Sequence, residues 1–252
     1  MSDVAIAKRA LALLDLTDLA EDSSTASVQA LCQRAVGGPA PVAAICIWPR
    51  FISAAKEALG TWSMRIATVA NFPAGGTDVV AVTDETQAAL GAGADEIDLV
   101  LPWRAFLVGD DAAADAMVRA VREACGGKTL KVILETGEYP DLDRVRAASE
   151  LAIAAGADFI KTSTGKTANS ASLAAARTML EVIAAAGRPV GLKPSGGIRT
   201  LADAAAYLAL ADEIMGPGWA KPEAFRFGAS GLHQVLVDVI AGGAAGRASG
   251  PY

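Results

Sequence analysis

The sequence predicts an α/β protein: a closed (β/α)8 TIM barrel preceded by a short N-terminal helix. Three observations carry that expectation. Eight short β-type runs alternate with helical patterns. The chain has 252 residues, the usual size for such a barrel. No G-x-G-x-x-G follows the first strand, so the open, doubly wound dinucleotide fold is the weaker alternative.

The chain opens on MSDVAIAKRALALLDL. Its apolar positions suit a helix, and Asp3, Lys8, Arg9 and Asp15 interrupt them too often for a signal peptide. The strands follow in order: LLDLT (13–17), VAAICIW (42–48), RIATVAN (65–71), EIDLVLP (96–102), LKVILET (130–136), FIKTS (159–163), VGLKP (190–194) and RFGAS (226–230). Helical patterns fall between them. In SLAAARTMLEVIAAAG, Leu173, Leu180 and Ile183 fall on one face and Gly187 is the stop signal. ASELAIAAG and LADAAAYLALA behave alike. Residues 1–241 therefore read as one domain and 242–252 as a flexible C-terminal tail.

Composition narrows the function. The formal net charge of -6 argues against a broad nucleic-acid surface, though not against a local anion pocket. No uncharged stretch is long enough to span a membrane. The cysteines, Cys32, Cys46 and Cys125, form no CxxC, so they read as reduced thiols of a cytoplasmic protein and not as a zinc site. A single histidine, His233, lies in the amphipathic pattern SGLHQVLVDVI and reads as structural. A Ser-His-Asp triad or a multi-histidine metal centre is thereby disfavoured.

An internal repeat points to the chemistry. AGADEIDLV (92–100) and AGADFIKTS (155–163) share AGADxI, and the next residue is Asp98 in one copy and Lys161 in the other. Side chains alternate across a strand, so if Ile97 and Ile160 face the helices, Asp98 and Lys161 face the barrel interior. VGLKPSGG places a second lysine, Lys193, on the next apolar strand. Buried lysines are rare unless paired or functional. A pairing with Asp98 or Glu135 would explain one. Two on neighbouring strands, near the carboxyl ends where barrel active sites lie, indicate catalysis. STGKT (163–167) resembles the end of a P-loop, but Ile160 stands where that motif requires glycine.

An amine attacks a carbonyl only when unprotonated. Bringing a lysine from ~10.4 to about 7–8 takes roughly 4 kcal/mol. A second cation ~4 Å away supplies about that at an effective dielectric near 20, with burial assisting. One lysine would then form a Schiff base and the other keep it neutral, although spacing alone does not say which. Cleavage of a carbon–carbon bond beside an iminium also needs a proton shuttle, for which Asp98 is the candidate.

Glycine-rich turns follow the last three strands: STGK (163–166), SGGIRT (195–200) and GASG (228–231). Backbone N–H groups at such turns bind anions, and a phosphate site after strands 7 and 8 is common in barrels. Lys166 and Arg199 would add charge, and Ser230 a hydroxyl. The substrate expected is a small phosphorylated carbonyl compound.

DLTDL, AAICIWPRF, RIATVANFP, GADEIDLVLPWRA, LKVILETGE, GADFIKTSTGK, VGLKPSGGIRT, ADEIMG and RFGASGL together resemble the deoxyribose-phosphate aldolase family, in order, from about residue 10 onward. The resemblance implies a class I, metal-free lyase without cofactor that reversibly cleaves 2-deoxy-D-ribose 5-phosphate into D-glyceraldehyde 3-phosphate and acetaldehyde. It implies Lys161 as the Schiff-base lysine, Lys193 as its neighbour and Asp98 as the proton relay. It implies Gly165, Lys166, Gly196, Gly197, Gly228 and Ser230 as the phosphate site, and Asp15 and Thr17 beside the substrate hydroxyls. It further implies that the terminal Tyr252 assists enamine protonation, and that the chain forms a homodimer. Ser195 and Gly231 depart from the family, which often has alanine and serine there. Two other functions compete: a Schiff-base aldolase for a different sugar phosphate, and a non-catalytic sugar-phosphate binder on the same scaffold.

Overall fold

Strand runs this apolar must be covered on both faces, and parallel strands wrapped into a ring inside a shell of helices achieve that. The computed structural model describes residues 1–243 and 246. Helix α1 (Asp3–Ala12) leads into β1 (Leu14–Asp18), followed by α2 (Thr25–Gly37), β2 (Ala44–Ile47), α3 (Ile52–Leu59), β3 (Arg65–Ala70), α4 (Val79–Ala92) and β4 (Glu96–Val100). Then come α5 (Trp103–Leu107), α6 (Asp111–Cys125), β5 (Thr129–Ile133), α7 (Leu142–Ala154), β6 (Phe159–Lys161), α8 (Leu173–Ala185), β7 (Gly191–Lys193), α9 (Leu201–Met215), β8 (Phe227–Ala229) and α10 (Leu232–Ile240). The strands pair in parallel in sequence order, and β8 returns to β1. Between β7 and β8 the ring closes through bridges at Leu192–Phe225 and Ser195–Gly228. The predicted barrel and its N-terminal helix are both present.

The strands expected from sequence all form, but most stop earlier at their carboxyl ends. β6 ends at Lys161 and β7 at Lys193; the Thr162 N–H still donates to the Lys193 carbonyl at 3.1 Å, but a side-chain bond and a proline then break the regular pattern. Thr162 Oγ1 accepts from the Ser195 N–H at 3.0 Å, and Pro194 has no N–H to offer. Local signals set the helix starts. Ser24 and Thr200 each close a capping box, and Asp78, Asp141 and Ser172 accept from the third backbone N–H of their helices; each cap is worth about 1 kcal/mol. In α8, Leu180 and Ile183 are buried as expected, but Leu173 is 45% exposed. As the first helical residue, it has helix on one side only.

Alternation along the strands divides the apolar residues into two cores. Ile97 and Ile160 belong to the large core between sheet and helices. A small inner group, Leu19, Cys46, Ala67 and Val69, sits under Trp48 and Phe72. Asp98 and Lys161, the residues that follow those isoleucines, are buried and joined to each other. His233 is buried on α10 beside Gly38, and burial lowers its pKa. Among the described residues no helix is long and apolar enough to cross a membrane.

Candidate active site

The carboxyl ends of β6 and β7 place Lys161 and Lys193 in register, as direct neighbours. Both side chains are buried. Their Nζ atoms meet on one oxygen: Lys161 donates to Asp98 Oδ2 at 2.9 Å and Lys193 donates to the same atom at 2.7 Å. Lys193 also pairs with Asp15 Oδ2 at 2.5 Å. The structure therefore brings together the two lysines and the carboxylate that the sequence singled out.

Their surroundings displace the two amines in opposite directions from the ordinary lysine pKa. Burial is the largest influence on Lys161 and pushes its pKa below the usual lysine value; Asp98 opposes that shift and the Lys193 ammonium reinforces it. For Lys193 burial acts downward too, but Asp15 and Asp98 outweigh it and hold the ammonium well above the ordinary value. The expectation that a neighbouring cation would be the main cause is thus corrected: desolvation leads, and the second lysine adds to it.

Beneath this pair lies a sealed layer of charge that the sequence did not disclose. Lys131 reaches Asp98 Oδ1 at 2.8 Å and Glu96 Oε2 at 2.6 Å. Arg226 donates to Asp15 Oδ1 at 2.6 Å and to Glu96 Oε1 at 3.0 Å. All of these side chains are buried. For Asp98, burial alone would raise the pKa, but Lys131, Lys161 and Lys193 hold it well below the carboxylate range. Asp15 is likewise lowered by Lys193 and Arg226 against its burial, and Glu96 by Lys131 and Arg226. The layer contains three carboxylates, Asp15, Glu96 and Asp98, and four basic groups, Lys131, Lys161, Lys193 and Arg226. Charge balances when one base is neutral. Lys161 is the only one of the four whose pKa is lowered.

The signal for these residues was present. Glu96 and Asp98 alternate in EIDLV, and Lys131 stands in the apolar run LKVIL, opposite Asp98 in the parallel register. Asp15 also gains a different surrounding from the one the resemblance implied. Its carboxylate is engaged by Lys193 and Arg226 within the layer. The Thr17 hydroxyl, buried as well, donates back to the Asp15 carbonyl at 2.9 Å.

At the rim, Gly165, Gly196 and Gly197 all have positive φ, between +75° and +84°. A β-carbon on Gly196 would lie 2.8 Å from Ser170 Oγ, so the turn is tight as well as left-handed. Gly228 has another reason to be glycine: a β-carbon there would lie 2.5 Å from Ser195 Oγ and 3.1 Å from Lys193 Cε. Its missing side chain makes room for the lysine stem. The Lys166 ammonium donates to the Leu19 carbonyl at 2.8 Å, crossing from the β6 loop to the end of β1. The Arg199 N–H donates to Asp203 at 3.0 Å in the turn before α9. Ser230 is half-buried just ahead of α10, which has no side-chain N-cap. Glu135, the other carboxylate considered for a lysine, bonds instead to the Thr164 N–H at 3.1 Å and its hydroxyl at 2.6 Å. Its backbone is left-handed, at φ +60°. Cys46 is fully buried, and burial raises its thiol pKa. Tyr252 and most of the tail expected at 242–252 lie outside the described residues.

Two buried lysines at the carboxyl ends of adjacent strands of a (β/α)8 sheet, sharing one carboxylate, define a barrel enzyme. The profile of the DeoC/LacD family aldolases matches residues 9–249. A deoxyribose-phosphate aldolase from Agrobacterium fabrum (strain C58 / ATCC 33970) is 54% identical over 244 residues, covering 96% of this chain and 94% of the relative. A crystal structure from Toxoplasma gondii ME49, assigned to the deoxyribose-phosphate aldolases, superposes with a TM-score of 0.87 at 26% identity, covering 95% of each chain. One from Coccidioides immitis, assigned likewise, gives 0.82 at 27% identity over 95% of this chain and 87% of that one. The chain belongs to the DeoC/LacD family of aldolases and is a lyase.

Proposed function

We propose that this lyase reversibly cleaves 2-deoxy-D-ribose 5-phosphate into D-glyceraldehyde 3-phosphate and acetaldehyde through a Schiff base on Lys161. The observation that carries the reading is the shared Asp98 oxygen, on which one amine has a lowered pKa and the other a raised one. The name of the relative at 54% identity supports the choice of substrate.

In this reading the neutral Lys161 amine attacks C1 of the open-chain sugar, and loss of water gives an iminium. The iminium draws electrons from the C2–C3 bond, which breaks as the C3 hydroxyl gives up its proton. Glyceraldehyde 3-phosphate leaves. The remaining enamine takes a proton at carbon, and hydrolysis releases acetaldehyde and restores the amine. Asp98, whose pKa lies well below the carboxylate range, is a poor proton store. It acts instead as a hydrogen-bond bridge: the Lys193 ammonium gives a proton toward the departing carbinolamine hydroxyl, and the amine so formed takes one back from the C3 hydroxyl as the C2–C3 bond breaks. No step calls for a metal or organic cofactor. The phosphate is placed over the turns of Gly165, Gly196, Gly197 and Ser230, with Lys166 and Arg199 as cations and the uncapped start of α10 as a further donor. Thr17 and Asp15 are carried as neighbours of the substrate hydroxyls, the latter acting through Lys193. Tyr252 is carried as an assistant to enamine protonation. The partners are then the phosphorylated sugar and acetaldehyde, the setting is the cytoplasm, and the assembly is a homodimer, which light scattering would test.

The enzyme is incubated with deoxyribose 5-phosphate and borohydride, then digested for mass spectrometry. A reduced two-carbon or sugar adduct on Lys161 is expected. An adduct elsewhere, or one formed only with a ketose phosphate, would replace this reading with that of a different Schiff-base aldolase.

A further inference from the structure

Seven buried ionisable groups share one layer of the barrel, but only Lys161, Lys193, Asp98 and, through Lys193, Asp15 enter the chemistry above. Lys131, Glu96 and Arg226 lie below the reacting amine and are fully enclosed. Lys131 occupies Asp98 Oδ1 at 2.8 Å, leaving Oδ2 to be divided between the two upper lysines. Glu96 is the anchor of the lower tier, taking Lys131 at 2.6 Å and Arg226 at 3.0 Å.

We propose that Lys131 and Glu96 are positioning residues that set the protonation state of Lys161 by fixing the charge of the layer, although neither touches it. This rests on the Schiff-base reading of Lys161 and assigns the residues that tune it. With Lys131 charged, the three carboxylates are matched by Lys131, Lys193 and Arg226, and no negative charge is left to hold a proton on Lys161. Without the Lys131 ammonium the layer carries an uncompensated carboxylate, Asp98; Lys193 beside it is already charged, so the one neutral base within reach is the Lys161 amine 2.9 Å away. That amine then takes up a proton. Without the Glu96 charge the imbalance is reversed, and Lys161 gives up its proton more readily.

The other groups facing Lys161 do not supply this control. Lys193 is already committed to Asp15 and Asp98. Glu135, across β5, is engaged by Thr164. Cys46 on β2 is a thiol made harder to ionise by burial. Arg65 reaches Glu96 at 3.3 Å from the exposed end of the barrel, with its side chain 51% exposed, so solvent screens it.

The test compares Lys131→Met, Glu96→Gln and the double variant with the wild type. Lysines are labelled at the ε-carbon, and Lys161 is titrated by NMR without substrate, so the readout does not depend on imine formation. Lys131→Met is expected to raise the Lys161 midpoint by about one to two pH units, as removal of one charge from a poorly solvated layer requires. Glu96→Gln is expected to lower it, and the charge-balanced double variant to bring it back toward the wild type. The acid limb of reductive trapping by acetaldehyde and cyanoborohydride should move with these midpoints. At a pH on that limb, trapping in Lys131→Met falls about tenfold for each pH unit by which the midpoint rises, and it recovers at higher pH. Opposite displacements that cancel in the double variant sustain the proposal. Equal midpoints in all folded variants, or displacements of the same sign in both single variants, would overturn it. If Lys131→Met does not fold, the direction in which Glu96→Gln moves the midpoint decides alone. Correct midpoints without a trapped adduct would leave this inference standing and remove the Schiff-base reading instead.

Discussion

The ends of β6 and β7 carry the same residue at the same level of the barrel, yet the two lysines lie on opposite sides of the ordinary lysine pKa. Burial does not distinguish them, since both are enclosed. Nor does Asp98, which accepts from both on one oxygen. Asp15 is the difference: it pairs with Lys193 at 2.5 Å and has no salt bridge to Lys161 among the described residues. An opposite charge ~4 Å away is worth about 4 kcal/mol at an effective dielectric near 20, enough to reverse the effect of burial on one amine and leave it on the other. In a dry interior, the number of carboxylates each amine touches decides which is the ammonium and which the nucleophile.

The largest test of this contrast removes the β6 amine. Lys161→Met should reduce turnover by on the order of 10⁴-fold or more, as loss of a covalent nucleophile does. The same variant should be more stable than the wild type near neutral pH. Burial lowers the folded-state pKa of Lys161 below 10.5, so between the two values the unfolded chain binds a proton that the folded chain does not. Stability therefore rises with pH across that window, and below it the full cost of the buried amine is felt. Methionine removes that cost while Lys131 and Lys193 still satisfy Asp98. Urea titrations of both proteins would show it, and a marked loss of stability would contradict the assignment.

Asp15→Asn attacks the contrast from the β7 side. It leaves Arg226 and Lys193 each short of a carboxylate, and breaking a buried pair in this way costs about 3–5 kcal/mol. The midpoint of urea unfolding should fall accordingly, and the raised Lys193 pKa should fall toward that of Lys161. Gly228→Ala is milder. Its β-carbon would crowd Ser195 and the Lys193 stem first. A loss of about 1–3 kcal/mol is expected, with slower imine formation and an unchanged Lys161 trapping site. The smallest effect belongs to Tyr252→Phe, which alters neither strand end. It should slow exchange of acetaldehyde α-protons while imine formation on Lys161 stays as it was; unchanged exchange would dismiss a role for the phenol.

Much of this was legible in the sequence, because both signals are local. Alternating runs and capping residues mark the barrel, and AGADxI followed by Asp98 or Lys161 marks the inward face. What could not be read was who meets whom across the barrel. The sharing of Asp98 Oδ2 depends on the stagger of β4, β6 and β7, and the division of Asp15 between Lys193 and Arg226 depends on ring closure, which sets chain neighbours more than 170 residues apart against each other. Lys131, Glu96 and Arg226 stayed hidden for a different reason. They show the same ionisable-in-apolar pattern as Lys161, but they lie away from the carboxyl ends of their strands, where barrel chemistry takes place, and support it from below. Gly228 reads as part of an anion turn, whereas its close approach to Lys193 is a packing fact that no spacing could reveal.

The most direct measurement is a side-by-side titration of the two strand-end lysines in the unmodified enzyme, each ε-carbon resonance assigned by single substitution. The account predicts that Lys161 loses its proton first, below the ordinary lysine value of 10.5, while Lys193 keeps its proton to a higher pH. The reverse order, or a common midpoint near that of a solvent-exposed lysine, would contradict it.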